Sequence, residues 1–216
     1  MRRYHRRYRL LAVALAVLAG FVDALGFLSL RGMFVSFMSG NSTRLAVGAA
    51  TPVHGSLFAG ALIASFVVGV MAGSAAGGRG GAWRKPAVLA LVTAGLVVAS
   101  VVDLMIGQST YPTLLMAFAL GAANTVFQRD GEVSVGVTYM TGTLVKVGQH
   151  LMAALQGGSR FGWLPYLTLW LGLVAGAAIG AAIYPVAGLQ ALWIAAGFAA
   201  ALGIGAVGLG PVSDGR

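Results

Sequence analysis

Six apolar stretches, each about as long as a bilayer-spanning helix, leave this chain few ways to fold. They lie near residues 10–30, 54–77, 86–107, 111–128, 162–183 and 187–209. A hydrocarbon core about 30 Å thick needs ~20 apolar residues in a helix to cross it. Only 9% of the 216 residues are charged, against about 25% in soluble domains. In lipid every backbone N–H and C=O must find a partner within the protein, so long continuous apolar runs become helices. The expectation is an all-α polytopic membrane protein, a single membrane domain over residues 1–216. There is no cysteine, so disulfides, thiol nucleophiles and Cys-ligated metals are excluded. The net charge of +9 sits in short basic segments of the positive-inside kind, which argues against nucleic acid as a partner. The basic start, Arg2-Arg3-Tyr4-His5-Arg6-Arg7, has the outline of a signal peptide. The apolar run continues to Leu30 and carries Asp23, so it reads as an uncleaved first helix.

Between the apolar stretches a polar signature occurs twice. Phe37-Met38-Ser39-Gly40-Asn41-Ser42-Thr43-Arg44 is followed about a hundred residues later by Tyr139-Met140-Thr141-Gly142-Thr143-Leu144-Val145-Lys146. The shared pattern is aromatic, Met, Ser/Thr, Gly, and a base four residues after the Gly. Two further features recur in register. Gly20-Phe21-Val22-Asp23 matches Gly121-Ala122-Ala123-Asn124, and Gly69, Gly73 and Gly77 match Gly172, Gly176 and Gly180. Three matches at near-constant spacing indicate internal repetition, with repeat one over about 10–107 and repeat two over about 111–209. The glycines, four residues apart, mark helix faces that let backbones approach closely in lipid. A homodimer through such a face is compatible with the pattern.

Charge supports a topology. With six spans and both signatures re-entrant, twelve of the fourteen bases lie on the side of the N-terminus, and only Arg31 and Arg44 lie opposite. If the signatures also cross, making eight spans, that bias nearly vanishes. The positive-inside rule favours six spans with both termini cytoplasmic. Three spans per repeat then makes the second repeat inverted, and the two signatures enter from opposite faces.

Each signature reads as a short strand, a glycine corner and a half-helix. Phe34-Val35-Ser36-Phe37-Met38 and Val133 to Tyr139 are rich in β-formers, and Asn41, Ser42, Thr43, Thr141 and Thr143 are expected N-caps. A half-helix N-terminus attracts anions, and Arg44 and Lys146 add charge one turn on. Together with walls from Phe37 and Tyr139 and the backbone at Gly40 and Gly142, these residues outline a midplane site. Ser39 and Asn124 belong to the same set. It suits a small anionic or zwitterionic solute. Asp23, a carboxylate in a spanning helix, is expected to pair with Arg44 or Lys146 or to bind a coupling proton or cation. The alternative is a structural Asp23–Arg44 pair. His54 and His150 lack metal-ligand spacing, and neither metal nor cofactor is expected. Arg129 in the turn 128–132 is a candidate gate. An intramembrane hydrolase using Ser39 has no nucleophile-elbow sequence behind it, so an enzyme is not expected. A secondary transporter or permease is the reading, with a non-transporting scaffold or sensor as the alternative.

Gly20–Arg44, with Gly-Phe-Val-Asp-Ala and Phe-Met-Ser-Gly-Asn-Ser-Thr-Arg, resembles the YoaK family of bacterial inner-membrane proteins. So do Asn124-Thr125-Val126-Phe127-Gln128-Arg129 and Val137 to Leu144. The resemblance implies a bacterial plasma-membrane protein of a family classed as a domain of unknown function. The expected strand and half-helix elements also resemble, in architecture alone, those of nucleobase and inorganic-anion transporters.

Overall fold

The computed structural model describes residues 6–51, 55–107, 110–129, 132–133 and 135–208. The chain is all-α in character: α1 (Arg6–Ser29), α2 (Met38–Ala50), α3 (Ser56–Gly80), α4 (Arg84–Ile106), α5 (Tyr111–Ala123), α6 (Met140–Leu155), α7 (Leu164–Ala187) and α8 (Leu192–Gly208). A two-residue antiparallel pairing, β1 (Gln128–Arg129) with β2 (Glu132–Val133), is the one ladder among the described residues. Three helical stretches are long and apolar enough to cross a membrane: Arg7–Ser29, Ser56–Ile106 and Leu164–Gly208. The second and third, of 51 and 45 residues, are each a pair of helices folded at a 3₁₀ turn, Gly81–Trp83 and Gly188–Ala191. α5 is apolar but shorter. The sequence expectation carried that stretch to residue 128; the helix stops at Ala123 because the chain turns at Asn124, described below.

Close glycine contacts set how the helices pair. α1 lies along α7, with Gly172 at Val13, Gly176 at Val17 and Gly180 at Phe21. These contacts advance together along both chains, so the two helices run in the same direction. α3 lies along α5 in the same sense, with Gly69 at Phe118 and Gly73 at Ala122. The Ser65 hydroxyl adds a bond to the Leu114 carbonyl at 2.6 Å. Lipid tails give helices no hydrophobic reason to associate, so close backbone approach and such bonds supply the attraction. α4 packs on α5 and α8. The interior joins Leu15, Leu18, Val22 and Leu25 of α1 to Val88, Leu89 and Leu96 of α4, and to Met116 and Leu120 of α5. Large apolar side chains such as Leu57, Met71, Ile179 and Ile204 are left on the outside, as expected where the surroundings are lipid.

The two ends of the bundle differ in charge. At one end the Lys85 ammonium sits 4.6 Å over the Tyr8 ring, and Arg84 Nη1 donates to Gln128 Oε1 at 3.0 Å. That end therefore gathers the start of α1, the α3–α4 turn and the segment after α5, with Arg7, Arg9, Arg79, Arg84 and Lys85. At the other end Gln190 Nε2 donates to Asp103 Oδ2 at 2.6 Å, and the Gly188–Ala191 turn touches α1. Arg31 and Gly32 lie at this second end.

α1 stops in a Schellman motif. Gly32 N donates to the Phe27 carbonyl at 2.9 Å and Arg31 N to the Leu28 carbonyl at 3.4 Å, with Arg31 held at φ 51°. A left-handed C′ position favours glycine, and a side chain there costs roughly 1 kcal/mol. Arg31→Gly should therefore raise resistance to unfolding by about 0.5–1 kcal/mol. Thermal inactivation of the detergent-purified protein measures this, and an unchanged or lowered midpoint refutes the strain.

Candidate functional site

After the Schellman turn the chain doubles back along α1. Residues 33–36 descend about 9 Å, the six residues from Ser29 to Asp23 at ~1.5 Å each. α2 then climbs again beside them. Three side chains hold this hairpin shut. Asp23 Oδ1 accepts from Val35 N at 3.0 Å and Ser36 N at 2.9 Å. Asn41, buried at 1% exposure, donates through Nδ2 to the Phe34 carbonyl at 2.6 Å and accepts from Phe34 N at 3.4 Å. Arg44 Nη2 donates to the Gly32 carbonyl at 3.1 Å. The rings of Phe27, Phe34 and Phe37 fill the space between, with centroids 4.9 and 5.2 Å apart. Gly55, at the head of α3, comes back against Met33, so the hairpin starts and finishes at the same end of the bundle.

The second copy repeats the latch and omits the filling. Asn124 stands for Asp23: its Oδ1 accepts from Thr138 N at 3.3 Å and from Thr138 Oγ1 at 3.2 Å. Its Nδ2 donates to the Leu120 carbonyl at 2.9 Å. Thr138 matches Ser36 at an offset of 102 residues. At the same offset Gly136 stands where Phe34 stood, Thr143 where Asn41 stood and Lys146 where Arg44 stood. The ring is gone, and Thr143 Oγ1 turns back to its own Tyr139 carbonyl at 3.0 Å. Lys146 leaves the loop backbone and reaches over the Tyr166 ring of α7, 5.6 Å from its centroid. His150 stacks on the same ring at 5.1 Å. What remains is a cavity of about 140 Å³, lined by Val133, Val135, Gly136, Tyr139, Gly142, Thr143, Lys146, Tyr166 and Leu169.

The sequence-predicted residues therefore separate. Tyr139, Gly142, Thr143 and Lys146 line the cavity. Asp23, Asn41, Arg44 and Asn124 hold hairpins in place, and Phe37 packs in the aromatic cluster. Ser42 and Thr43 return their hydroxyls to the carbonyls of Met38 and Ser39, which satisfies them on an exposed helix face. Ser39, Gly40 and Thr141 lie outside the cavity lining. α2 rests on α3 and α6 on α7, and the cavity draws no residue from the first copy.

Three local expectations are corrected. Apart from Val133 of β2, which pairs with Gln128, the described residues of the segments before the helices are not strands: with no neighbouring chain to complete a ladder, Asp23, Asn41 and Asn124 take the amides instead. The helices begin two residues before each glycine, at Met38 and Met140, with Phe37 and Tyr139 as N-caps and no side-chain cap bond. Asn41, Ser42, Thr43, Thr141 and Thr143 are thus inside helices and cap nothing. Asp23 pairs with backbone amides, not with Arg44 or Lys146, because the returning loop places two N–H groups directly on it. The cavity-forming residues missed from sequence are Val133, Val135, Gly136, Tyr166 and Leu169. The signal was available for one of them, since the repeat offset sets Gly136 against Phe34. His54, Asp130 and the side chain of Arg129 lie outside the described residues. Among the described residues no group of three or more metal-ligating side chains occurs.

A polytopic helical bundle with polar hairpins folded into it is an integral membrane protein by construction. Comparison with known proteins places it further: the chain belongs to the family described as "Protein of unknown function (DUF1275)", matched over residues 11–205, and the resemblance to YoaK proteins falls within it. It is similar to the UPF0700 transmembrane protein RA0705 of Rhizobium meliloti (strain 1021), with 37% identity over 189 residues, covering 85% of this chain and 79% of that protein. No solved structure matches.

Proposed function

We propose that the protein is a secondary transporter or permease of the bacterial plasma membrane, not an enzyme, and that it moves a small anionic or zwitterionic solute. The bundle is read as six spans in two inverted three-helix repeats, each with a re-entrant hairpin, and with both termini cytoplasmic. Exchange of the repeats supports this: α1 pairs with α7 as α5 pairs with α3, and α2 rests on α3 as α6 rests on α7. The charge difference between the ends supports it as well, through the positive-inside rule. Irregular backbone at membrane depth belongs where it is enclosed by protein or lines a wet cavity, and transporter repeats place their sites at such broken elements.

The observation that carries the reading is Lys146, an exposed base of α6 held over the Tyr166 ring, with no carboxylate among the described residues lining its cavity. It lies toward the basic end of the bundle, beside the start of α7, where a positive group at the mouth of a cavity draws small anions from water. The test uses proteoliposomes incubated in a cytosolic extract, with retained solutes identified by mass spectrometry. A small anion retained by the native protein and lost with Lys146→Gln is the expected result; identical profiles for both sink the transport reading. The Asp23 latch favours a second reading, a rigid scaffold, for the first repeat alone.

A further inference from the structure

The bundle is stitched tightly in some places and smooth in others. Glycine seams join α1 to α7 and α3 to α5, backbone against backbone. No such seam joins α1 to α4. In α1, Gly20 faces Leu173 and Gly26 faces Val35; in α4, Gly95 faces Phe118 and Ala119 of α5. The interior that α1 and α4 share is leucine and valine: Leu15, Leu18 and Val22 with Val88, Leu89 and Leu96. Side chains of this kind slide past one another without breaking a directional bond, which is the basis of shear motion.

Among the described residues, the polar contacts across this boundary stand at the two ends. At the basic end the Lys85 ammonium of α4 lies 4.6 Å over the Tyr8 ring of α1. At the opposite end Gln190 Nε2, in the turn that follows α7, donates to Asp103 Oδ2 of α4 at 2.6 Å. A lysine set on a ring instead of a carboxylate is held loosely, and a single hydrogen bond holds the other end. The hairpins straddle the same boundary. Asp23 of α1 holds the first while α2 rests on α3; Asn124, beyond α5, holds the second while α6 rests on α7. A shift of one unit against the other therefore reaches the cavity beside Lys146.

We propose that α1 and α7 move as one unit against α3, α4 and α5, and that the Tyr8–Lys85 and Asp103–Gln190 contacts open in alternation, one at each end. The proposal rests on the transport reading and supplies its conformational step.

The chain has no cysteine, which allows a direct test in lipid nanodiscs, where both ends meet solvent. Ala12→Cys, one turn from Tyr8, and Ser100→Cys, one turn from Asp103, each place a thiol at a buried position. Labelling by a charged maleimide then reads opening at that end. Lys85→Met should speed labelling at position 12 about three- to tenfold, the loss expected for one cation–π contact, and slow it at position 100. Gln190→Leu should speed labelling at position 100 by roughly tenfold, as for one hydrogen bond to a charged group, and slow it at position 12. Should either variant not fold, Tyr8→Leu or Asp103→Leu breaks the same contact and decides. Faster labelling at one end without slowing at the other is general loosening and overturns the alternation. Unchanged labelling at both ends overturns the contacts as gates. Reciprocal labelling without solute retention in proteoliposomes overturns transport alone, and solute retention with unresponsive thiols overturns only this device.

Discussion

Gly176→Val should prevent the bundle from assembling. A Cβ at Gly176 would lie 1.9 Å from the Val17 carbonyl oxygen and 2.7 Å from its carbon, inside any real contact distance. The obstruction is backbone, not a side chain that can swing away, so α1 and α7 must move apart along the whole seam that Gly172, Gly176 and Gly180 close. Overpacking a core by side-chain clashes costs roughly 1–3 kcal/mol; separating two helix backbones exceeds that range and also opens the Gly20 contact at Leu173. Gly69→Val should behave alike, through the Phe118 carbonyl. Gly197→Val is the control, since an added Cβ meets nothing within 4 Å there. The yield of monodisperse protein after membrane extraction measures all three. Normal yield for Gly176→Val, or equal loss for Gly197→Val, refutes the seam.

Asp23→Ala should be nearly as damaging, by a different route. The substitution strands two inward-facing N–H groups, of Val35 and Ser36, that lose a charged acceptor. Each unsatisfied buried donor costs about 1–3 kcal/mol, so the pair amounts to roughly 2–6 kcal/mol on the same basis. The first hairpin should loosen, and protease sensitivity between α1 and α2 should rise. Asp23→Asn should retain most of the stability, because an amide oxygen still accepts. Asn124 already performs this task with Thr138. The contrast separates two roles for the same residue. If Asp23→Asn folds and still transports, the carboxylate is a latch. If it folds and transport stops, the charge has a coupling role beyond the latch. A collapse equal to that of Asp23→Ala contradicts the latch as described, since it predicts that oxygen, not charge, is what Val35 and Ser36 require.

The structural findings also show why some functional residues were readable in the chain and others were not. Lys146 and Arg44 stood out in the sequence because each is the base four residues after a signature glycine. The structure gives Arg44 a role of its own, a bond to the Gly32 carbonyl. Pattern alone treats the two bases as equivalents. Only the neighbouring residues distinguish them: Phe34 fills the first hairpin and Gly136 leaves the second open. Tyr166 and Leu169 carry no local signal, since both read as ordinary residues of an apolar helix. They become cavity walls because α7 passes beside α6.

Helix existence was legible because it depends on local chemistry. Apolar runs of bilayer length, glycine turns and spaced small residues act through covalent neighbours or through one helix face, and lipid enforces backbone satisfaction everywhere. The paired signatures, the basic segments and the helix seams follow from the same information. What the chain alone did not determine was which partner each polar group would take. Asp23 had Arg44, Lys146, a cation and the returning loop as candidates. Asn41 and Thr143 both read as helix caps, yet one pins a loop and the other bonds back to its own helix. Those choices depend on how far the hairpin descends and which atoms it brings within about 3 Å. Asp23 reaches its amides across 12 and 13 residues and Asn41 reaches Phe34 across seven, so the distance is set by where the chain turns back along α1 and exists only once that hairpin has packed.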